Sequence, residues 1–405
     1  MTDPPGGSAV GVPARPAGPG PATIALALLV PTAGVLPVFL LGGLAVQMQA
    51  DLGFGTSGIG AGVAAYFLAA ALGSAAAGRL VQRVGAVPSM RLGVVVAMAS
   101  LLGIAALARS IAVLMVLLVV GGLANAVCQP GINDLLAREV PVDRQGLAFA
   151  IKQSAIPFGT LLGGLAVPFV ALTVGWRWAY VAGAGLAAVA LVLIGRRRRG
   201  AGWQRAADDG SPPVAPAVRS LAVLAVAAGL AAAGGNSIGS FLVASSVHVG
   251  LSEPAAGFLL AGASVLMLVV RIGMGVVADR RGHGYFQMVA AMMAAGTLGY
   301  LLLATGNVAV LGVGAAVAAG GGWGWPGLFN LAVVDLDRRA AAVATGITQT
   351  GVYLGAVGGP LLFGTIAERV SFGAGWVVSG ALSLLGGVIV LLKVSAVPTW
   401  RRRRA

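Results

Sequence analysis

Residues 275–283 read Gly275-Val276-Val277-Ala278-Asp279-Arg280-Arg281-Gly282-His283, and residues 78–85 read Gly78-Arg79-Leu80-Val81-Gln82-Arg83-Val84-Gly85. Gly78, Arg83 and Gly85 recur as Gly275, Arg280 and Gly282, each displaced by 197 positions. The same displacement relates Gly60 to Gly257. A displacement of 196 relates Pro130-Gly131 to Pro326-Gly327, Gln153 to Gln349 and Gly159 to Gly355, and one of 200 relates Gly175-Trp176 to Gly375-Trp376. An offset of half the chain length, held from end to end, indicates two copies of one unit and not a short solenoid repeat. In a membrane chain, duplicated halves place a substrate site between them.

Composition says that this is a membrane chain. It is 58% hydrophobic and only 9% charged, with a mean hydropathy of +0.94, where a soluble domain carries about 25% charged residues. Twelve apolar stretches stand at 23–46, 57–80, 88–108, 111–136, 146–170 and 178–195, then at 220–246, 255–278, 285–304, 308–334, 343–366 and 373–394. Each is long enough for a hydrocarbon core of ~30 Å, which takes about 20 helical residues. The expected fold is an all-α polytopic membrane protein, its helices in two pseudo-symmetric six-helix bundles. The helix count and the duplication support each other.

The formal net charge of +14 invites a nucleic-acid reading, and its distribution argues against one. With an even number of spans, both termini lie on one side. Arg109, Arg177 and Arg369 fall on the other side and Arg271 inside a helix; all the remaining lysines and arginines fall on the terminal side. This bias places both termini in the cytoplasm of a cell with a multi-pass protein in its plasma membrane. The runs Arg196–Arg199 and Arg401–Arg404 read as stop signals at helix ends, with contact to anionic lipid as a second use. No nucleic-acid partner is expected.

The chain divides accordingly. Residues 1–21 are rich in proline and glycine and read as a disordered cytoplasmic tail. Residues 22–195 form the first bundle, 196–218 a cytoplasmic linker, 219–395 the second bundle and 396–405 a basic tail. No convincing cleavage site marks a signal peptide. The single cysteine, Cys128, allows no intrachain disulfide. With that cysteine and two histidines, the chain supplies neither a nucleophile–base pair nor a metal cluster, so neither enzymatic activity nor a cofactor is expected. Pairs such as Gly159/Gly163, Gly235/Gly239, Gly351/Gly355 and Gly355/Gly359 read as seams where helix backbones approach closely in lipid.

The stretch 275–283 resembles the signature loop of the major facilitator superfamily, Gly-x-x-x-Asp-Arg/Lys-x-Gly-Arg/Lys, and 78–85 is its weaker twin. The resemblance extends over essentially the whole chain. It implies a secondary transporter in which this loop latches the two halves when the cytoplasmic side is closed. Gly78, Arg83, Gly85, Gly275, Asp279, Arg280 and Gly282 would be the gating residues, with the helix starting near Gly146 as the partner. Glycine ahead of the loop would allow tight helix contact, and Asp279 could meet the positive end of a neighbouring helix. The sequence departs from the pattern at Gln82, which replaces the first aspartate, and at His283-Gly284, which replaces a basic pair. The arginine of proton-coupled exporters has no counterpart near Gly122. Pro168 follows Gly163-Gly164 at the wrong spacing for an antiporter signature.

The resemblance also implies a site near the midplane between the halves, lined mainly by the first, fourth, seventh and tenth helices. In the fourth, Asn125, Gln129 and Asn133 recur at helical spacing. The seventh offers Asn236 and Ser240, the tenth Trp323 and Asn330, and the eleventh Gln349 and Tyr353. Each of these could instead serve helix packing through interhelical bonds. Arg271 is the sharpest candidate. It lies eight residues before Asp279, roughly 12 Å deeper, and a charge inside the membrane costs at least ~2.5 kcal/mol. It therefore needs a cavity or a partner, and a structural pairing with Asp134 or with the gate is the alternative to solute binding. Superfamily carriers of monocarboxylates and oxalate carry a similarly placed arginine that binds the substrate carboxylate. The position equivalent to Arg271 in the first copy is Ser74. Asp134 is the candidate for proton coupling.

These readings converge on a monomeric secondary transporter that moves a small-molecule substrate, with or without a proton, by alternating access. Arg271 and the incomplete antiporter signatures favour a small organic anion. The alternatives are a proton-coupled drug or metabolite efflux antiporter and a non-transporting membrane sensor.

Overall fold

The computed structural model describes residues 20–141, 145–196, 218–336 and 341–395. The expected linker but for its two end residues, the expected basic tail, and the expected N-terminal tail up to residue 19 lie outside these; Pro21, expected in that tail, opens the first helix instead. Twelve helices among the described residues are long and apolar enough to cross a membrane. The first half contributes α1 (Pro21–Gly43), α2 (Thr56–Val84), α3 (Ala86–Leu107), α4 (Ile111–Glu139), α5 (Ala148–Ala171) and α6 (Trp176–Gly195). The second contributes α7 (Arg219–His248), α8 (Glu253–Ala278), α9 (Tyr285–Ala304), α10 (Val308–Leu336), α11 (Ala344–Arg369) and α12 (Phe372–Lys393). The described residues include no strand, as expected where every backbone group must be satisfied within its own segment.

The boundaries match the sequence reading to within a few residues, and the interiors differ from it. A short helix, Ala45–Leu52, follows α1. α5 is broken at Ser154 and ends in a π-helical turn at Val167–Ala171 that begins just before Pro168. α10 is broken between a π-helical turn at Ala318–Gly322 and a final segment starting at Pro326. Proline accounts for these breaks, since it donates no N–H and crowds the preceding turn.

Small residues set the packing, as the sequence expects. A Cβ on Gly351 or Gly355 would collide with the Ala225 or Gly229 carbonyl, so α11 and α7 run backbone to backbone. Gly163 meets the Phe39 carbonyl in the same way, and Gly235 lies under the Trp323 ring. The two halves meet along two seams. α2 faces α11, where Gly60 abuts the Pro360 carbonyl, and α5 faces α8, where Gly164 abuts the Gly257 carbonyl. Gly42 of α1 also abuts the Gly239 carbonyl of α7.

These contacts crowd toward the end of the bundle away from the termini. There Gln47 donates to Glu253 at 2.5 Å and the Ser57 N–H donates to Glu368 at 2.7 Å, both across the halves. Toward the terminal end, Gly78, Gly273, Gly275, Gly327 and Gly346 have open space where a Cβ would stand, and among the described residues α4 and α10 do not pack closely on one another. The tight helix contact expected at Gly78 and Gly275 is therefore absent in this conformation. The physical reason is that the halves are closed at the opposite end.

Candidate functional site

The α5–α8 seam is antiparallel and its polar contacts keep one register. Ser264 of α8 donates to the Thr160 hydroxyl of α5 at 2.8 Å. Arg271, seven residues on, reaches Gln153, seven residues back. Its Nη1 donates to the Gln153 carbonyl at 2.8 Å. Nη2 and Nε donate to the Trp323 carbonyl of α10 at 2.8 and 3.3 Å. The guanidinium also lies 5.9 Å from the centroid of a Trp323 ring, within cation–π range. Ser264 and Arg271 share one face, as their spacing in the sequence implies.

Arg271 is half-buried within an apolar span, and its partners are carbonyl dipoles. The ion pairs among the described residues, Asp134–Arg138 and Asp51–Arg177, do not involve it. A guanidinium has five N–H donors. Three are engaged, which leaves one on each terminal nitrogen, a pair suited to the two oxygens of a carboxylate. A membrane-embedded cation with no carboxylate partner among the described residues calls for an anion from elsewhere or for water.

The other predicted residues separate into satisfied and unsatisfied groups. Asn236 donates to the Ala232 carbonyl at 2.9 Å, and Ser240 donates to the Asn236 carbonyl at 2.9 Å, so both settle within α7. Ser240 also lies beneath the Gly42 contact. Gln129 donates to Asn125 at 3.1 Å, forming an amide pair along α4 that abuts Gly34 of α1. Asn133 continues that face, and its side-chain oxygen is buried with no hydrogen-bond partner. Asn330, Gln349 and Tyr353 are half-buried. Trp323 is 3% exposed and contributes its carbonyl and ring to Arg271.

Asp134, the residue expected to carry a proton, bonds Arg138 at 2.8 Å one turn along α4. Arg271 therefore pairs with neither Asp134 nor another described carboxylate. In the signature loops, Gly85 and Gly282 end their helices at φ 93° and 65°, where glycine is favoured, and Arg83 and Arg280 are exposed. The side chains of Asp279 and of Gln145–Leu147 lie outside the described residues.

Sequence reasoning left two groups out of the site, and a cation next to one of them in the chain. Gln153 was visible as the twin of Gln349, but its contribution is a backbone carbonyl. Thr160 carried no signal. Lys152 was counted with the terminal-side charges, yet it stands inside α5, half-buried, with no ion pair among the described residues. Asp51, which lies outside the spans, accepts from Arg177 and Trp176 at the start of α6, at 2.5 and 3.0 Å. The Arg177 hydrogen bond, first, and then that of Trp176 hold the Asp51 carboxyl below its ordinary range against the opposing effect of burial.

Comparison with known proteins agrees with this architecture. The family model described as Major Facilitator Superfamily matches residues 27–357 and, in a second match, 224–405. A protein of Agrobacterium vitis named "Putative tartrate transporter" is 25% identical over 388 residues, 88% of this chain and 86% of that one. Two crystal structures share the fold. A D-xylose–proton symporter superposes with a TM-score of 0.74 at 16% identity, covering 91% of this chain and 96% of that one. A nucleoside transporter superposes at 0.72 and 13% identity, covering 92% and 99%.

Proposed function

The chain belongs to the Major Facilitator Superfamily and is a membrane transporter, and on that premise we propose that its solute is a small organic anion held by Arg271. One observation carries the reading. Arg271 is a cation inside an apolar span, seated on carbonyls, with no ion pair to a described carboxylate and with two N–H groups left over. The paired geometry suits a carboxylate better than a sugar hydroxyl. The name of the Agrobacterium vitis relative, which specifies tartrate, supports the same solute class.

The mechanism is alternating access. The two halves rock about the site, exposing it to one side at a time. The basic bias of the terminal side supports a cytoplasmic location for both termini, so the conformation described here opens toward the cytoplasm. Gln349, Tyr353 and Asn330 complete the site as hydrogen-bonding groups toward the solute. The signature loops, with Asp279, close the terminal side in the opposite state.

Transport in proteoliposomes tests the proposal, with a panel of carboxylates, neutral sugars, organic cations and drugs. Wild-type protein should move one or more carboxylates. Arg271→Gln should reduce that flux by about 100-fold, the cost of removing one partner from a charge-assisted pair in a desolvated site. If the variant moves every accepted solute as well as wild type does, the anion site is wrong. A wild-type preference for drugs or organic cations would favour the efflux alternative.

A further inference from the structure

The Gln153 carbonyl that holds Arg271 is free for a covalent reason. In an α-helix this oxygen would accept the N–H four residues on, and that residue is Pro157, which has none. The helix Gln145–Gln153 accordingly stops, Ser154 forms a turn, and the helix resumes at Ala155–Ala166. The Trp323 carbonyl has a related origin. It stands in the turn between the π-helical segment and the helix that begins at Pro326, three residues on, which also has no N–H. Two helix breaks, one in each half, thus offer bare carbonyls to one guanidinium. In a membrane interior such carbonyls must be satisfied by protein.

We infer that Pro157 is a positioning residue for Arg271. By withholding an N–H from Gln153 it provides the cross-half seat that fixes the guanidinium and leaves its two remaining donors for the solute. The solute-binding consequence rests on the anion reading above; the seat itself does not. The bond to Trp323 stays within the second half. The bond to Gln153 spans the halves, so it must be broken whenever they part along this seam. The same cation thereby holds the solute and ties the halves. The pseudo-symmetric seam lacks this device. Its counterpart of Arg271 is Ser74, which donates to the Ala71 carbonyl of its own helix at 2.7 Å, and its counterpart of Pro157 is Tyr353.

Pro157→Ala restores the N–H and lets the Gln153 carbonyl close its own helical turn. In a Cys128→Ser background, Ser154→Cys places one thiol at a position that is 8% exposed, next to the seat. Pro157→Ala should raise the rate of maleimide labelling there by about tenfold or more, the scale of one charge-assisted hydrogen bond lost from the closed seam. Arg271→Gln should raise it comparably, and the double variant no further. Pro157→Ser, which also restores the N–H, should match Pro157→Ala. Additive effects of the two substitutions, or wild-type labelling in both proline variants, would overturn the proposal. Transport assays separate the seat from the solute. Non-additive labelling together with a several-fold higher KM for a dicarboxylate in Pro157→Ala supports both. Non-additive labelling with uptake of every solute unchanged in Arg271→Gln supports the seat and removes the anion reading.

Discussion

At the residue scale, type and position in the span made Arg271 readable, because a charge in hydrocarbon demands an explanation. Its partners were not readable, because they are backbone carbonyls that any residue type possesses. Asp51 shows the converse. Its partners are side chains, and Trp176 was visible through the repeated Gly-Trp pair, yet nothing in the spacing joins positions 51 and 176. The Asp51 carboxyl is depressed below its ordinary value by Arg177 and Trp176. The stability it contributes is therefore fully present above the unfolded-state value of 3.8 and is lost as pH falls through the lower folded value. The Asp51 and Arg177 side chains are more than a third exposed, so solvent screening limits the effect to at most about 1 kcal/mol. Melting in detergent from pH 7 to pH 3 should show an acid-side loss that Asp51→Asn reduces while lowering the melting temperature at pH 7, Glu368 supplying part of what remains. An identical acid-side loss in the variant would assign it to other carboxylates.

At the element scale, hydropathy and length located all twelve spans, because the hydrocarbon core fixes how long an apolar helix must be. The glycine pairs were legible as seams for a related reason, since close helix approach in lipid needs small side chains. The breaks within α5 and α10 were less legible. Pro157 and Pro326 were present in the sequence, but proline is tolerated in membrane helices when a neighbour satisfies the freed carbonyl. Only the neighbour reveals whether the helix bends, breaks or binds. The α7–α11 seam gives a direct test. Gly355→Leu would drive a side chain into the Gly229 carbonyl, an overpacking cost of about 3 kcal/mol or more. The folded fraction in a denaturant titration should fall sharply. Leucine at Gly312, which has open space beside it, should be tolerated. Equal losses at both positions would mean that the seam is not what limits stability.

At the scale of the whole molecule, the duplication predicted two similar bundles, and the structure shows where they are closed. At the end away from the termini, Glu368 approaches the uncapped N-terminus of α2, whose Gly55 cap has no side chain to offer. A carboxylate there gains from both the free N–H and the helix dipole. Glu253 accepts from Gln47 beside it. Glu368→Ala together with Glu253→Ala should favour the opposite state. In the Cys128→Ser background, labelling of Ser240→Cys by an impermeant maleimide from the non-terminal side should rise by about tenfold. An unchanged rate would show that the glycine contacts alone keep that end shut.

The sequence by itself determined the class of molecule. Hydrophobic length, a basic bias on one side and an internal repeat are properties of the chain as a line, and they specify twelve helices in two related bundles whatever the detailed packing. It also determined that Arg271 had to be explained, because no helix carries such a charge without compensation. Only the tertiary structure decided what compensates it. Polar side chains that look alike in sequence differ in which neighbour reaches them first. Asn236 and Ser240 close on their own helix, Asp134 closes on Arg138, and Arg271 crosses to the other half because a proline leaves a carbonyl bare there. Such partnerships depend on the register between helices that are far apart in the chain, and helix register is set by packing.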